Sequence, residues 1–297
     1  EMTIPSRDEI VGAATEGRLL DLIFKHGWRH DGASYAQALV DAHQSKDVDL
    51  RALLPLPEPP RFSNNELYQG MDILLPALGS IATSGADLLE LMAGAIPHDD
   101  PMLSHLPYAE ILKWCHSSPD HPVELLRQIE SGALLAQRFH CLQACLSTGL
   151  QADAVFYLAK AIEFLQHGDA LRRAQAARAI SHLSSEVRAT TAELVETILA
   201  VIERETEPSV QEALLALALT WQKDAPVELE RSTYRLIERS SSPVTLAAKK
   251  AIAFSLMGTS NAYSVQVRRD LLALLASGQP EDEFVKLLDI VFAWLIT

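Results

Sequence analysis

The C-terminal half of the chain repeats a pattern of small and apolar residues at intervals close to the length of a helical hairpin. The pattern in 171–180 recurs 39 residues later and again 35 residues after that, and an upstream copy lies 33 residues earlier. Small residues at helical spacing let one helix lie close against the next, so the pattern predicts stacked pairs of helices. The positions are Leu171, Ala174, Ala177, Ala179 and Ile180; Val210, Ala213, Ala216, Ala218 and Leu219; Ala248, Ala251, Ala253 and Phe254; and Cys141, Ala144 and Leu146.

The composition predicts an all-α protein. Leu and Ala supply most of the 48% hydrophobic content, whereas aromatic residues make up 6%. Leu and Ala are strong helix formers, and the β-branched and aromatic runs that strands favour are scarce. From about residue 133, segments of helical length alternate with predicted breaks at Gly149, Gly168, Pro208, Pro226, Pro243, Gly258 and Pro280.

The N-terminal half is less regular. Ser6 and Glu9 have the spacing of a capping box, and apolar residues then continue at helical intervals to Phe24, which predicts one helix ending at His26. A second helix is predicted over 33–43, and helices broken by prolines, among them Pro76, over 64–131. The predicted organisation is an N-terminal helical block (1–54), a Pro-rich linker (55–63), an irregular helical region (64–132) and repeats (133–297).

Two short segments in the repeat half resemble the helix start of HEAT units. They are Asp169-Ala-Leu-Arg-Arg-Ala174 and Pro208-Ser-Val-Gln-Glu-Ala213. Together with the period, they make residues 133–297 similar to the HEAT/armadillo family. Tetratricopeptide repeats have a comparable period, but their Trp-Leu-Gly-Tyr signature does not occur in this sequence. The resemblance implies a right-handed α-solenoid that binds other proteins along an extended face.

The net charge of −14 disfavours the attraction to phosphates on which most nucleic-acid binding depends. Residues 1–150 carry ten basic and twenty acidic side chains, so this half favours a basic protein partner. No apolar run in the sequence is long enough to span a bilayer, and no signal peptide is visible. Three cysteines argue against a disulfide framework and favour a reducing compartment, so a cytoplasmic location is expected.

All three cysteines and five of the ten histidines lie between His98 and Cys145. Cys141 and Cys145 are four residues apart on a predicted helix, so both thiols can face one ion, and Cys115 or His116 can complete a tetrahedral zinc site. However, no Cys-x-x-Cys pair is present, and Cys141 fits the repeat template as a small buried residue. We therefore predict no metal or cofactor, and a zinc-stabilised module or metal-dependent hydrolase is a second alternative function.

Basic side chains recur in pairs in the repeat half. If they line one face of the stack, they form a strip that can contact phosphates, which makes a nucleic-acid-binding solenoid the first alternative function. Glutamates nearby, such as Glu203 and Glu207, favour solvated helix ends instead. The candidate residues are Arg172, Arg173, Arg235, Arg239, Lys249, Lys250, Arg268 and Arg269.

Several catalytic signatures are missing from the sequence. It has no phosphate loop of the Walker type, no His-Glu-x-x-His pair and no Gly-x-Ser-x-Gly elbow. The leading prediction is a non-catalytic protein-interaction scaffold, adaptor or regulatory subunit. The last predicted helix, 284–296, is apolar around most of its circumference, so we expect it to dock on a partner, a second copy or a continuation of the chain.

Overall fold

The computed structural model describes residues 4–26, 31–56, 62–96, 103, 105–183, 192–221, 229, 232 and 236. These residues form twelve α-helices and two short 3-10 helices and contain no strand, which confirms the all-α class. The chain divides into two compact units, 1–149 and 150–297. The predicted start of the repeats at 133 therefore falls inside the first unit.

The helix bounds follow the predicted order of segments. In the first unit they are α1 (Arg7–Thr15), α2 (Leu19–His26), α3 (Gly32–Gln44), α4 (Asn64–Ile81), α5 (Gly85–Ala95), α6 (Pro107–Ser117) and α7 (Asp120–Glu130), with 3-10 helices at Leu50–Leu53 and Leu134–Gln137. The division between the units falls within α8 (Cys141–Ala152). The second unit contains α9 (Ala154–His167), α10 (Ala170–Ser181), α11 (Ala192–Arg204) and α12 (Pro208–Trp221).

The first helix begins as the sequence predicts but ends early. The Ser6 N–H donates to Glu9 Oε2 at 2.7 Å and the Glu9 N–H donates to Ser6 Oγ at 3.3 Å, which completes the capping box. The prediction of one helix to His26 is wrong, because Gly17 adopts a left-handed φ of 67° between α1 and α2. Glycine reaches this conformation without the steric cost that other residues meet, so the chain turns there.

Helix α4 is the central element of the first unit and packs against α2, α3, α5 and α6. The prediction that Pro76 breaks this helix is wrong, since α4 runs on to Ile81. Proline removes the N–H that would bond the carbonyl of Asp72. Gly32, at the start of α3, lies beside that carbonyl, with its Cβ position 3.8 Å from Asp72 O. Helix α4 is therefore continuous although this one backbone hydrogen bond is lost.

Helices from both sides of the Pro-rich segment pack within the first unit. Helices α2 and α3, which precede the segment, contact α4, which follows it. The segment begins against α5, where the Leu56 N–H donates to the carbonyl of Gly94 at 3.1 Å. Residues 57–61 lie outside the described residues. The segment therefore connects two groups of helices that share one core.

The closest contact in this core joins α2 to α4. Phe24 is fully buried and stacks on Phe62, with ring centroids 4.6 Å apart and an interplanar angle of 10°. Gly70, in the middle of α4, faces the Phe24 ring. A Cβ atom at Gly70 would lie only 2.2 Å from that ring, so the two helices approach this closely only because residue 70 has no side chain.

In the second unit, helices one repeat apart lie side by side. Helix α9 packs against α10 and α11, and α10 packs against α12. The predicted breaks at Gly168 and Pro208 are confirmed, whereas the predicted break at Gly149 is wrong because α8 continues to Ala152. The handedness of a longer stack stays a prediction.

The repeat template describes the buried faces of α10 and α12 only in part. The first position differs, because Leu171 is 43% exposed whereas Val210 is fully buried. Ala177 is buried, but Ala216 in the second copy is exposed. The positions that both copies bury are Ala174 and Ala179 in α10 and Ala213 and Ala218 in α12.

Polar side chains join successive hairpins of the second unit. Arg204 in α11 donates to the carbonyl of Gln166 in α9 at 2.8 Å, and Gln166 Nε2 donates to Thr197 Oγ1 at 3.2 Å. The indole N–H of Trp221, which is 2% exposed, donates to the carbonyl of Ser181 at 3.2 Å. The Trp221 bond satisfies a buried polar group, and all three bonds connect one hairpin to the next.

Candidate docking site at the end of helix α4

Two cavities flank the C-terminal end of α4 and share Ser80 and Ala82. The α3-side pocket, of about 640 Å³, lies between this end and the last turn of α3. The α6-side pocket, of about 310 Å³, lies between the same end and the start of α7, with α6 as its wall. The two pockets lie on either side of the residues that they share, and we refer to them together as the α4-end groove.

The wall of the α3-side pocket is the turn after α3. The N–H groups of Lys46 and Asp47 donate to the carbonyls of His43 and Ala42, at 2.9 and 3.0 Å, and Lys46 has a left-handed φ of 61°. His43 Nδ1 lies 3.3 Å from the carbonyl of Val48, on the far side of the turn. This closed turn presents His43 and Lys46 to the groove.

Asp87 fixes the floor between α4 and α5. One of its carboxylate oxygens, Oδ2, accepts hydrogen bonds from Arg51 Nη2 at 2.7 Å and from the Thr83 N–H at 2.8 Å. Arg51 Nη2 also lies 3.3 Å from the carbonyl of Ile81, the last residue of α4. The hydrogen bond from Arg51, followed by those from Thr83, holds the pKa of Asp87 well below its usual range.

Replacing Asp87 with asparagine is expected to lower the free energy of unfolding by about 2 kcal/mol at pH 7, because a charge-assisted network is lost. A carboxyl with a lowered folded pKa contributes stability that is present above its unfolded pKa of about 3.9 and is lost as the pH falls through the folded pKa. The difference in the free energy of unfolding between Asp87→Asn and the parent should therefore become smaller below about pH 3.9. Urea unfolding at a series of pH values measures this difference. A difference that does not change with pH would contradict the stabilising role of the ionised Asp87 carboxylate.

In the α6-side pocket, Trp114 and His121 form a fixed aromatic wall. Their rings stack with centroids 3.8 Å apart and an interplanar angle of 2°. His121 Nδ1 lies 2.8 Å from the carbonyl of Trp114, so this nitrogen carries a proton and donates to it. Ser117 Oγ donates to the same carbonyl at 2.7 Å. The serine and histidine thus cap the end of α6 and hold the α6–α7 turn.

Glu110 is the acidic group of this pocket. Its side chain is 14% exposed. A Cβ atom at Gly79, in the last turn of α4, would lie 3.3 Å from its Oε2 atom. Lys113 Nζ is 3.7 Å from Oε2 and is itself 66% exposed. Burial raises the pKa of Glu110, and Lys113 offsets part of that effect. A largely buried carboxylate therefore lies against the carbonyl end of a long helix.

The structure places the candidate metal residues in the first unit. Cys115 is buried whereas its neighbour His116 is exposed, and Cys141 and Cys145 are fully buried. The two thiols of α8 donate to the carbonyls of Arg138 and Pro122, at 2.9 and 3.0 Å. Burial raises the pKa of Cys115 to about 12. Within the described ranges, no group of three His, Cys, Asp or Glu side chains is arranged to hold a metal ion.

Arg173, a candidate for the basic strip, forms a bidentate ion pair with Glu205. Its Nε and Nη2 atoms donate to the two carboxylate oxygens at 2.9 and 3.2 Å, and Nη1 donates to the carbonyl of Gly168 at 2.9 Å. The Glu205 side chain is 5% exposed. The Nε atom of Arg172, in the first turn of α10, lies 3.6 Å from Asp169 Oδ2. An alanine double variant of the Arg172–Arg173 pair would therefore alter packing as well as charge.

Other predicted residues lie outside the part of the chain that is described, so the strip and the last helix stay predictions. They are Arg235, Arg239, Lys249, Lys250, Arg268, Arg269 and the helix at 284–296. The α4-end groove itself was missed by the sequence analysis, because Glu110, Trp114 and His121 match no motif.

None of the described helices combines the length and the apolar character needed to cross a membrane. No family model, no curated protein and no solved structure matches the chain.

Proposed function

We propose that this chain is a non-catalytic protein-interaction scaffold or adaptor, and that the α4-end groove binds a segment of its partner. The groove is the observation that carries the proposal. It crosses the ends of α3, α4 and α6, and its walls are held by the Asp87 and His121 hydrogen bonds. A groove of mixed polar and apolar lining on packed helices suits an extended polypeptide, because little ordering of the protein is needed when the segment binds.

The charge of the first unit supports a basic partner. This unit contains twenty acidic and ten basic side chains, so a basic segment is attracted and a phosphate backbone is repelled. For the second unit, the HEAT-like spacing and the side-by-side packing of α10 and α12 support a second, extended binding face. We place the protein in the cytoplasm on the basis of its three cysteines.

The test fills the groove without changing the core. Ser80 is exposed and lies in both pockets, so Ser80→Arg inserts a long side chain where the partner segment would lie. Asn65→Arg is the matched control, because it adds the same side chain at an exposed position about 22 Å away on α4. Lysate proteins retained by the parent and both variants, with and without nuclease, are quantified by mass spectrometry.

We expect that the parent and Asn65→Arg retain at least one protein in similar amounts. The amount of that protein retained by Ser80→Arg should be lower by about tenfold or more. Its recovery should survive nuclease. Equal recovery by all three proteins would exclude the groove as the binding site. Recovery that disappears with nuclease would favour the nucleic-acid-binding alternative instead.

A further inference from the structure

The α6-side pocket is lined by one carboxylate, that of Glu110, and by one ammonium, that of Lys113. Glu110 is held at 14% exposure against the last turn of α4, and Lys113, which pairs with it, extends into solvent with its Nζ 3.7 Å away. The carbonyl end of an 18-residue helix adds partial negative charge at the same place. A carboxylate beside a helix C-terminus is electrostatically unfavourable unless cations lie close by. Lys113 lies near the carboxylate and Arg51 donates to the last carbonyl of α4, and a planar cation that enters the pocket can replace the exposed ammonium of Lys113 at Glu110.

Two aromatic rings also line the pocket. Trp114 and His121, stacked 3.8 Å apart, both line it. A guanidinium group is planar, is weakly hydrated, stacks on aromatic rings and bonds a carboxylate through two N–H groups. A lysine ammonium would satisfy the charge and can approach an aromatic ring, but it can neither stack on the ring as a plane nor bond the carboxylate through two fixed N–H groups. The cavity, at about 310 Å³, is at the small end of ligand pockets and suits one long side chain.

We propose that the α6-side pocket binds an arginine side chain of the partner segment, with Glu110 as its carboxylate and the Trp114–His121 stack as its platform. This inference rests on the proposed function, since it names the residue type that the α4-end groove selects. The acidic balance of the first unit attracts the same basic segment over a longer range. The adjoining α3-side pocket accommodates the residues that flank the arginine.

The test uses random short peptides displayed on phage and selected on the full chain, with Ser80→Arg as the counter-selection. Peptides that need the groove should contain arginine at a common position. For one such peptide, Glu110→Gln should weaken binding by about tenfold or more, because a charge-assisted bidentate contact is lost. Glu90→Gln, an exposed glutamate of the same unit, is the charge-matched control and should leave the affinity within about twofold.

A second measurement leaves the protein unaltered. Replacing the peptide arginine with citrulline, which keeps the shape and removes the charge, should weaken binding to the parent as much as Glu110→Gln does. It should have little further effect on the variant, because both changes remove one contact. Groove-dependent peptides that bind Glu110→Gln and the parent equally would overturn the arginine assignment and leave the proposed function intact. A selection that yields no groove-dependent peptide would overturn both.

Discussion

Replacing Gly70 with alanine is expected to lower the free energy of unfolding by about 3 kcal/mol. The new methyl group would lie 2.2 Å from the Phe24 ring, well inside van der Waals contact. The ring cannot move aside, since Phe24 is fully buried and stacks on Phe62. Helices α2 and α4 must therefore separate, and the buried contacts between them weaken. Urea unfolding gives the size of the loss, and hydrogen exchange shows whether α4 opens.

Gly12→Ala is the matched control for this variant. Gly12 lies within α1, and nothing lies within 4 Å of its Cβ position. Alanine there should leave stability unchanged or raise it by up to about 1 kcal/mol, because it restricts the unfolded chain and favours the helix. If the two variants changed the free energy of unfolding by the same amount, α2 and α4 could not approach each other as closely as described.

Arg173→Ala is expected to cost about 3–5 kcal/mol, because it leaves the carboxylate of Glu205 buried without its counter-charge. Burial alone would raise the pKa of Glu205, but the hydrogen bonds from Arg173 and from the backbone N–H groups of Glu207 and Thr206 outweigh it and hold that pKa below its usual range. In the variant only the two backbone N–H groups still oppose the effect of burial, so the carboxylate has lost its counter-charge. Hydrogen exchange of α10 and α12 should report the loss in the second unit.

Two further variants show whether the destabilisation comes from the buried charge of Glu205 or from a general loss of packing. Arg173→Met with Glu205→Leu removes both charges and keeps most of the volume, so it should be far less destabilising than Arg173→Ala. Arg172→Ala removes the neighbouring arginine, whose pair with Asp169 is at the helix surface, and should cost about 1 kcal/mol or less. Similar losses in Arg173→Ala and Arg172→Ala would show that the Glu205 pair is not the cause.

The sequence predicted the starts of several helices but not every helix end. The Ser6–Glu9 capping box identified the start of α1 because it involves only neighbouring residues. Pro76 looked like a helix break, yet α4 continues through it, because packing against four other helices outweighs the loss of one hydrogen bond. Gly17 looked like part of a helix, yet it turns the chain. Such outcomes depend on tertiary contacts that one sequence does not contain.

The groove was less predictable than the fold. Its residues come from the ends of separate helices, and none of them stands in a recognisable spacing with the others. The contact of Arg173 was not predictable either. Its neighbours in the sequence suggested a basic surface strip, whereas its ion-pair partner, Glu205, is 32 residues away. Charge spacing along a helix predicts which side chains share a face, but it does not predict what that face contacts.

The helix that forms the floor of the groove is also the one buried at the centre of the first unit. A binding loop on the surface can open by itself, but the end of α4 cannot leave its place unless the contacts of α4 with α2, α3, α5 and α6 weaken as well. A ligand in the groove therefore binds the native unit and not its opened form. Its binding energy adds to the resistance of the entire unit to unfolding, so occupancy and folding of these residues are thermodynamically linked.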